Sequence, residues 1–189
     1  MSKKVKISIQ GNEFLLPSSA IQKCTYENDT YVSMRAKYVA SIIKQYVKKN
    51  YPNLKVWSSS DVYSGGSSVR VEVSKPDGSK VNPSVFEDIS RWKHILQGGS
   101  FDGMYDIYNY REDKPSTDNG TPMRYFPSYV FIENKPKWGS VEYFMNSWSE
   151  WTETNGEWKD KIIEQYGGWL QYNKQYMSDS VFNKVKELV

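Results

Sequence analysis

Two glycine clusters punctuate this chain, Ser64-Gly65-Gly66-Ser67-Ser68 and Gly98-Gly99-Ser100-Phe101-Asp102-Gly103-Met104, and each sets small residues beside aromatic ones. Glycine serves where the backbone takes a positive φ or passes close to another group, so these points mark where the fold must turn or crowd. The first cluster sits between Lys55-Val56-Trp57-Ser58-Ser59 and the alternating Val69-Arg70-Val71-Glu72-Val73, which predicts two strands joined by a glycine turn. Pro76-Asp77-Gly78-Ser79 then closes the second strand. Ahead of the second cluster, residues 83–96 put Val85, Ile89, Trp92 and Leu96 on one stripe, with Pro83 suited to a first helical turn and Gly98-Gly99 a ready helix stop.

The remaining segments follow from their periods. Lys4-Val5-Lys6-Ile7-Ser8-Ile9 alternates and turns at Gly11-Asn12 into Glu13-Phe14-Leu15-Leu16, a hairpin. Tyr38, Val39, Ile42, Ile43, Tyr46 and Val47 recur at helical spacing within 34–51. Residues 104–111 and 128–133 read as strands, with a loop at 114–122 between them. Beyond lie three helical stretches, 141–153, 158–176 with a break at Gly167-Gly168, and 180–189. The expected fold is α+β: a mixed or antiparallel sheet of about five strands, two covering helices and a C-terminal helical extension. Its expected divisions are an N-terminal hairpin and connector (1–33), an α+β core (34–135) and a Trp-rich extension (136–189).

Composition narrows the chemistry. Fifteen Tyr, seven Trp and seven Phe beside few aliphatic residues imply a core of rings whose OH and NH groups need partners. Cys24 is alone, which excludes an internal disulfide framework and an all-thiolate zinc site and fits a reducing compartment. No run approaches the roughly eighteen apolar residues of a membrane helix, and the start at Met1 lacks a signal-peptide core. The expectation is a cytoplasmic protein without a membrane anchor. Charge is uneven: residues 1–97 hold 15 Lys/Arg against 8 Asp/Glu, whereas 98–157 hold 5 against 10. The first region can attract an anionic partner that the second repels.

The order of helix, strand, glycine turn, strand and helix, followed by a second glycine signature, resembles large polyvalent protein-associated domain 29, a family of phages and mobile elements. Tyr63-Ser64-Gly65-Gly66-Ser67-Ser68 matches its first turn. Phe101-Asp102-Gly103-Met104 with Asp106, Tyr108 and Tyr129-Val130-Phe131 matches its second signature. The resemblance covers about residues 34–135. It implies residence in a phage or mobile element and a role in helping incoming DNA survive or establish itself in a host cell, which fits the host-cell cytoplasm expected from the lone cysteine.

Each candidate residue carries two readings. Ser64, Gly65 and Gly66 can form an anion-binding nest or simply supply a hairpin turn; no Walker-type Lys follows. Asp102, Asp106, Glu112 and Asp113 offer carboxylates to Mg²⁺, but at no recognised loop spacing, and Asp102 instead reads as a brace for a structural turn of Gly98, Gly99 and Gly103. His94, the sole histidine, falls at a helix end where it can bond terminal carbonyls. Cys24 has no visible activating base. Lys37, Lys44, Lys48 and Lys49, with Tyr46, Tyr51 and Trp57 nearby, have the composition of a single-strand-binding surface or of an ordinary solvated helix face. Trp138, Trp148, Trp151 and Trp158 supply either the core of the tail or a protein-docking face.

With no catalytic set, metal site or cofactor motif, the expectation is a non-enzymatic protein that binds and occludes a host macromolecule. The expected partner is a host protein or ribonucleoprotein such as a CRISPR effector. A nucleic-acid-binding or DNA-processing accessory and a structural virion component are the alternatives.

Overall fold

The structure is a computed structural model that describes residues 3–105 and 107–189. The chain forms two compact units, one of residues 1–73 and 82–134, the other of 74–81 and 135–189. The first unit opens with β1 (Lys4–Ile9) and β2 (Asn12–Pro17), an antiparallel hairpin that buries Ile7, Ile9, Phe14 and Leu16. Its turn is Gln10-Gly11, both at positive φ, one residue earlier than expected. Asp118 sets that position: its carboxylate accepts from the Gln10 and Gly11 amides at 2.9 Å and from the Ser8 hydroxyl at 2.6 Å.

Next come β3 (Ile21–Lys23), β4 (Thr30–Ser33), α1 (Ala36–Asn50), β5 (Lys55–Tyr63), β6 (Gly66–Ser74) and α2 (Pro83–Leu96). β7 (Gly99–Asp102), β8 (Ile107–Tyr110), β9 (Met123–Arg124) and β10 (Tyr129–Glu133) complete the first unit. The apolar stripe of α1 lies fully in the core and packs on β5, while α2 packs on β10, so the two helices cover the sheet β10-β6-β5. Trp92 is wholly buried between them, edge-on to Phe14 at 5.4 Å and 4.9 Å from Tyr46. Such ring pairs contribute beyond their buried area.

The class is α+β, as the alternating and helical periods imply. The strands nonetheless fall into four small sheets among the described residues, none wider than three strands, where one sheet of about five was expected. Two of the pairings, β10 with β6 and β4 with β9, are parallel and join distant segments.

The second unit holds α3 (Val141–Glu153), α4 (Glu157–Tyr166), α5 (Trp169–Asn173) and α6 (Asp179–Leu188). Gly167, left-handed at φ 76°, ends α4, so the expected break falls where the glycine pair stands. Phe144, Trp151, Ile162, Trp169 and Val185 form this unit's core. The turn at 75–79 belongs here: the Gly78 carbonyl accepts from the Lys137 amide at 2.8 Å, and the Lys80 amide donates to Glu142 at 2.7 Å. Among the described residues no helix is long and apolar enough to cross a membrane.

Candidate functional site

The second glycine signature is a hairpin. β7 and β8 pair antiparallel with Phe101 opposite Tyr108 and Gly99 opposite Tyr110. Asp102 accepts from the Met104 amide at 3.0 Å within the turn. Gly98 and Gly99 are not the helix stop they resemble. The helix ends at Leu96, Gln97 is already extended, and neither glycine has a positive φ. Close approach is what requires Gly99: a Cβ there would collide with the Asn109 carbonyl oxygen and lie 2.8 Å from the Tyr108 ring.

Two side chains fasten the hairpin to the helix. Gln97 donates to the Gly99 carbonyl at 2.5 Å and accepts from the Val130 amide at 3.0 Å, linking hairpin to sheet. Arg111 donates to the carbonyls of Ile95 (2.9 Å) and Gln97 (3.2 Å), pairs with both Asp113 oxygens at 2.6 Å and lies over the Phe126 ring. It thus fills the carbonyl-capping role expected of His94, which stays exposed beside a cleft of about 310 Å³ shared with Lys93, Arg111 and Asp113. A guanidinium just beyond β8 presents several donors in one plane and so satisfies two carbonyls and a carboxylate together.

A chain of rings connects hairpin and sheet. Tyr110 meets Tyr108 at 4.9 Å, Tyr108 meets Tyr129 at 5.6 Å, and Tyr129 stacks on Phe131 at 6.0 Å. The Tyr108 hydroxyl donates to the Ser128 carbonyl at 2.5 Å. Burial, then the neighbouring phenols Tyr129, Tyr110 and Tyr63, push its pKa up to about 12, so it remains a neutral donor. Outside this braced centre the hairpin is open: Met104 is 84% exposed and Tyr110 75%, and Phe101, Tyr105, Ile107 and Phe131 are exposed with them. Residues 99–110 contain no Lys or Arg and two Asp, of which Asp106 lies outside the described residues. The hairpin segment therefore presents apolar side chains without a basic residue of its own.

The other expected site residues are dispersed. Lys37, Lys48 and Lys49 are exposed on α1 and Lys44 is half-buried. Of their aromatic neighbours, Tyr46 is buried, Tyr46 and Tyr51 donate to Asp88 at 2.5 and 2.7 Å, and Arg91 donates to the Tyr46 hydroxyl, whereas Trp57 is exposed. Burial would raise the Asp88 pKa, but those two hydroxyls and Arg91 outweigh it and hold the group low. In the first turn, Ser64 and Gly65 link β5 to β6; Gly65 has φ 87°, while Gly66 is needed for contact with Ser128 and the Tyr63 ring. Cys24 Sγ and the carboxylates of Glu27 and Asp29 lie within 4.8 Å of one another, but Arg124 bonds both acids and supplies the positive charge there.

Of the tail tryptophans, Trp151 is 7% exposed and belongs to the core, and Trp148 is half-buried against Trp169 at 5.3 Å. Trp138 and Trp158 are exposed. Sequence reasoning missed Gln97 and Arg111 as braces and the hairpin as an exposed surface. The available signal was the absence of any basic residue from 99–110.

Fold and site together define a small α+β scaffold that carries an exposed, ring-bearing hairpin. The chain belongs to the large polyvalent protein associated domain 29 family, whose model matches residues 34–137, more than half of its 189 residues. It is therefore a phage- or mobile-element-associated protein. Comparison with curated proteins and with solved structures found no match.

Proposed function

We propose that this protein is a non-enzymatic binding protein that docks on, and occludes, a host protein whose contact surface carries basic residues. The carrying observation is the β7–β8 hairpin, which exposes Phe101, Met104, Tyr105, Ile107 and Tyr110 on an acidic background and is braced from behind by Gln97 and Arg111. Exposed aromatics and Met on a rigid support are the groups that dominate binding energy, and a pre-ordered hairpin loses little entropy on docking. A component of a defence system, alone or as a ribonucleoprotein such as a CRISPR effector, fits this role in an element that must survive entry into a host.

The test uses the whole protein as bait in host lysate, beside a Met104→Ser/Tyr105→Ser/Tyr110→Ser variant and a Lys48→Glu/Lys49→Glu variant. The expected result is a protein that is retained after nuclease treatment, kept by the lysine variant and lost by the hairpin variant. Loss on nuclease treatment, or on changing the lysines alone, would overturn the proposal. That outcome would support the second reading, a nucleic-acid-binding accessory, which rests on the exposed lysine row of α1 and predicts binding that falls steeply with salt.

A further inference from the structure

The second unit contains a half-open pocket of about 200 Å³ at the edge of its core. Trp151, Trp158, Trp169 and Tyr172 supply its aromatic lining, Asn173 and Thr154 lie beside them, and Glu150 is the one charged residue in the lining. No lysine, arginine or histidine contributes to it. Trp151 and Trp158 stand at 72° to each other with ring centres 5.4 Å apart, so they form two walls and not a flat stack. The Lys159 ammonium already lies 5.4 Å over the Trp151 ring, where it also donates to the carbonyls of Trp151 and Thr154 at the end of α3. Lys159 thus covers part of the Trp151 ring, and the more exposed ring of the pocket is that of Trp158.

Aromatic faces attract cations through the ring quadrupole, most strongly when the cation is stripped of water, and alkylated ammoniums surrender water easily. A carboxylate at the rim adds long-range attraction for the same sign. Pockets that enclose whole small ligands usually hold about 300–1,000 Å³, so this smaller space suits a head group at the end of a longer molecule. We propose that the pocket formed by Glu150, Trp151, Trp158, Trp169 and Tyr172 recognises an alkylated ammonium borne on a protein side chain, N-methylated lysine being the group it fits.

Isothermal titration calorimetry on the full chain tests this with four probes: a trimethyl-lysine peptide, the same peptide with a neutral carbon in place of the ammonium nitrogen, the unmethylated peptide, and free choline. The trimethyl-lysine peptide is expected to bind about tenfold more tightly than its neutral counterpart. Trp158→Ala, at a position 57% exposed and therefore compatible with folding, is expected to weaken binding several-fold with a melting temperature lowered by no more than about 2–4 °C, and Glu150→Gln to weaken it likewise. Equal affinity for the neutral peptide, or no binding of the methylated one, would overturn the cation assignment. Equal affinity for the unmethylated peptide would reduce the site to an ion pair with Glu150 and overturn the alkylated head group. Choline matching the peptide would overturn the side-chain source.

Discussion

Replacing Gly99 with alanine should open the β7–β8 hairpin while leaving the core folded, and Gly103→Ala, four residues along the same hairpin, should do almost nothing. The difference is steric. A methyl at 99 overlaps the Asn109 carbonyl oxygen and sits 2.8 Å from the Tyr108 ring and 2.9 Å from the Tyr110 Cα, two of the three being backbone that cannot swing aside. At 103 the nearest atom is on the Phe101 ring at 3.8 Å, ordinary contact, and the backbone there is not left-handed. Overpacking of this kind costs about 2 kcal/mol, which corresponds to about a 30-fold rise in the open population. Neither β7 nor β8 contains a fully buried residue, so the strain is relieved by local opening and not by global unfolding. Hydrogen exchange followed by mass spectrometry should therefore report a loss of protection of that order confined to residues 98–111. The thermal midpoint should fall by no more than roughly 4–8 °C. Wild-type protection in Gly99→Ala, or an equal loss in Gly103→Ala, would refute the close-approach argument.

Tyrosine titration offers a second check. Tyr51 and Tyr108 both have pKa values raised to about 12, the first mainly by its bond to Asp88 and the second mainly by burial. Their neutral forms are favoured in the folded state, so between about pH 10 and 12 the unfolded chain holds fewer protons. Stability is full below about pH 10 and is lost as pH rises towards 12. Asp88→Asn should return Tyr51 towards ordinary phenol ionisation and leave Tyr108 late, as read by absorbance at alkaline pH; coincident movement of both would contradict the separate causes. In the second unit, Trp151→Ala should cost about 3–5 kcal/mol and Trp158→Ala under about 1 kcal/mol in denaturant unfolding, because only the first ring is core.

What could be read from residues alone follows the range of the forces involved. α1, α2 and α3 appear at their expected places because their stripes are local periods, and the Gly167 stop is a local backbone property. The Gly98-Gly99 pair misled because the same dipeptide that ends helices also permits crowding, and the crowding partner, Asn109, is met only after the chain turns back. Arg111 as a helix cap carries no local signal, since it reaches Ile95 from 16 residues away. Division into small sheets was equally illegible: β10 chooses β6 as a parallel partner, and Asp118 returns to Gln10 across 108 residues. Tyr46 was legible twice over, as part of an apolar stripe and as a stacking ring, and burial against Trp92 decided for the first.

The loop around Gly78 interlaces the two units along the sequence. The backbone crosses from one to the other after residues 73, 81 and 134, so neither can be moved by recombination at a single junction. A cut after Asn134 would strand Gly78 and Lys80 without Lys137 and Glu142. Deleting the tryptophan-rich helices would therefore also leave the 75–80 loop without its anchors.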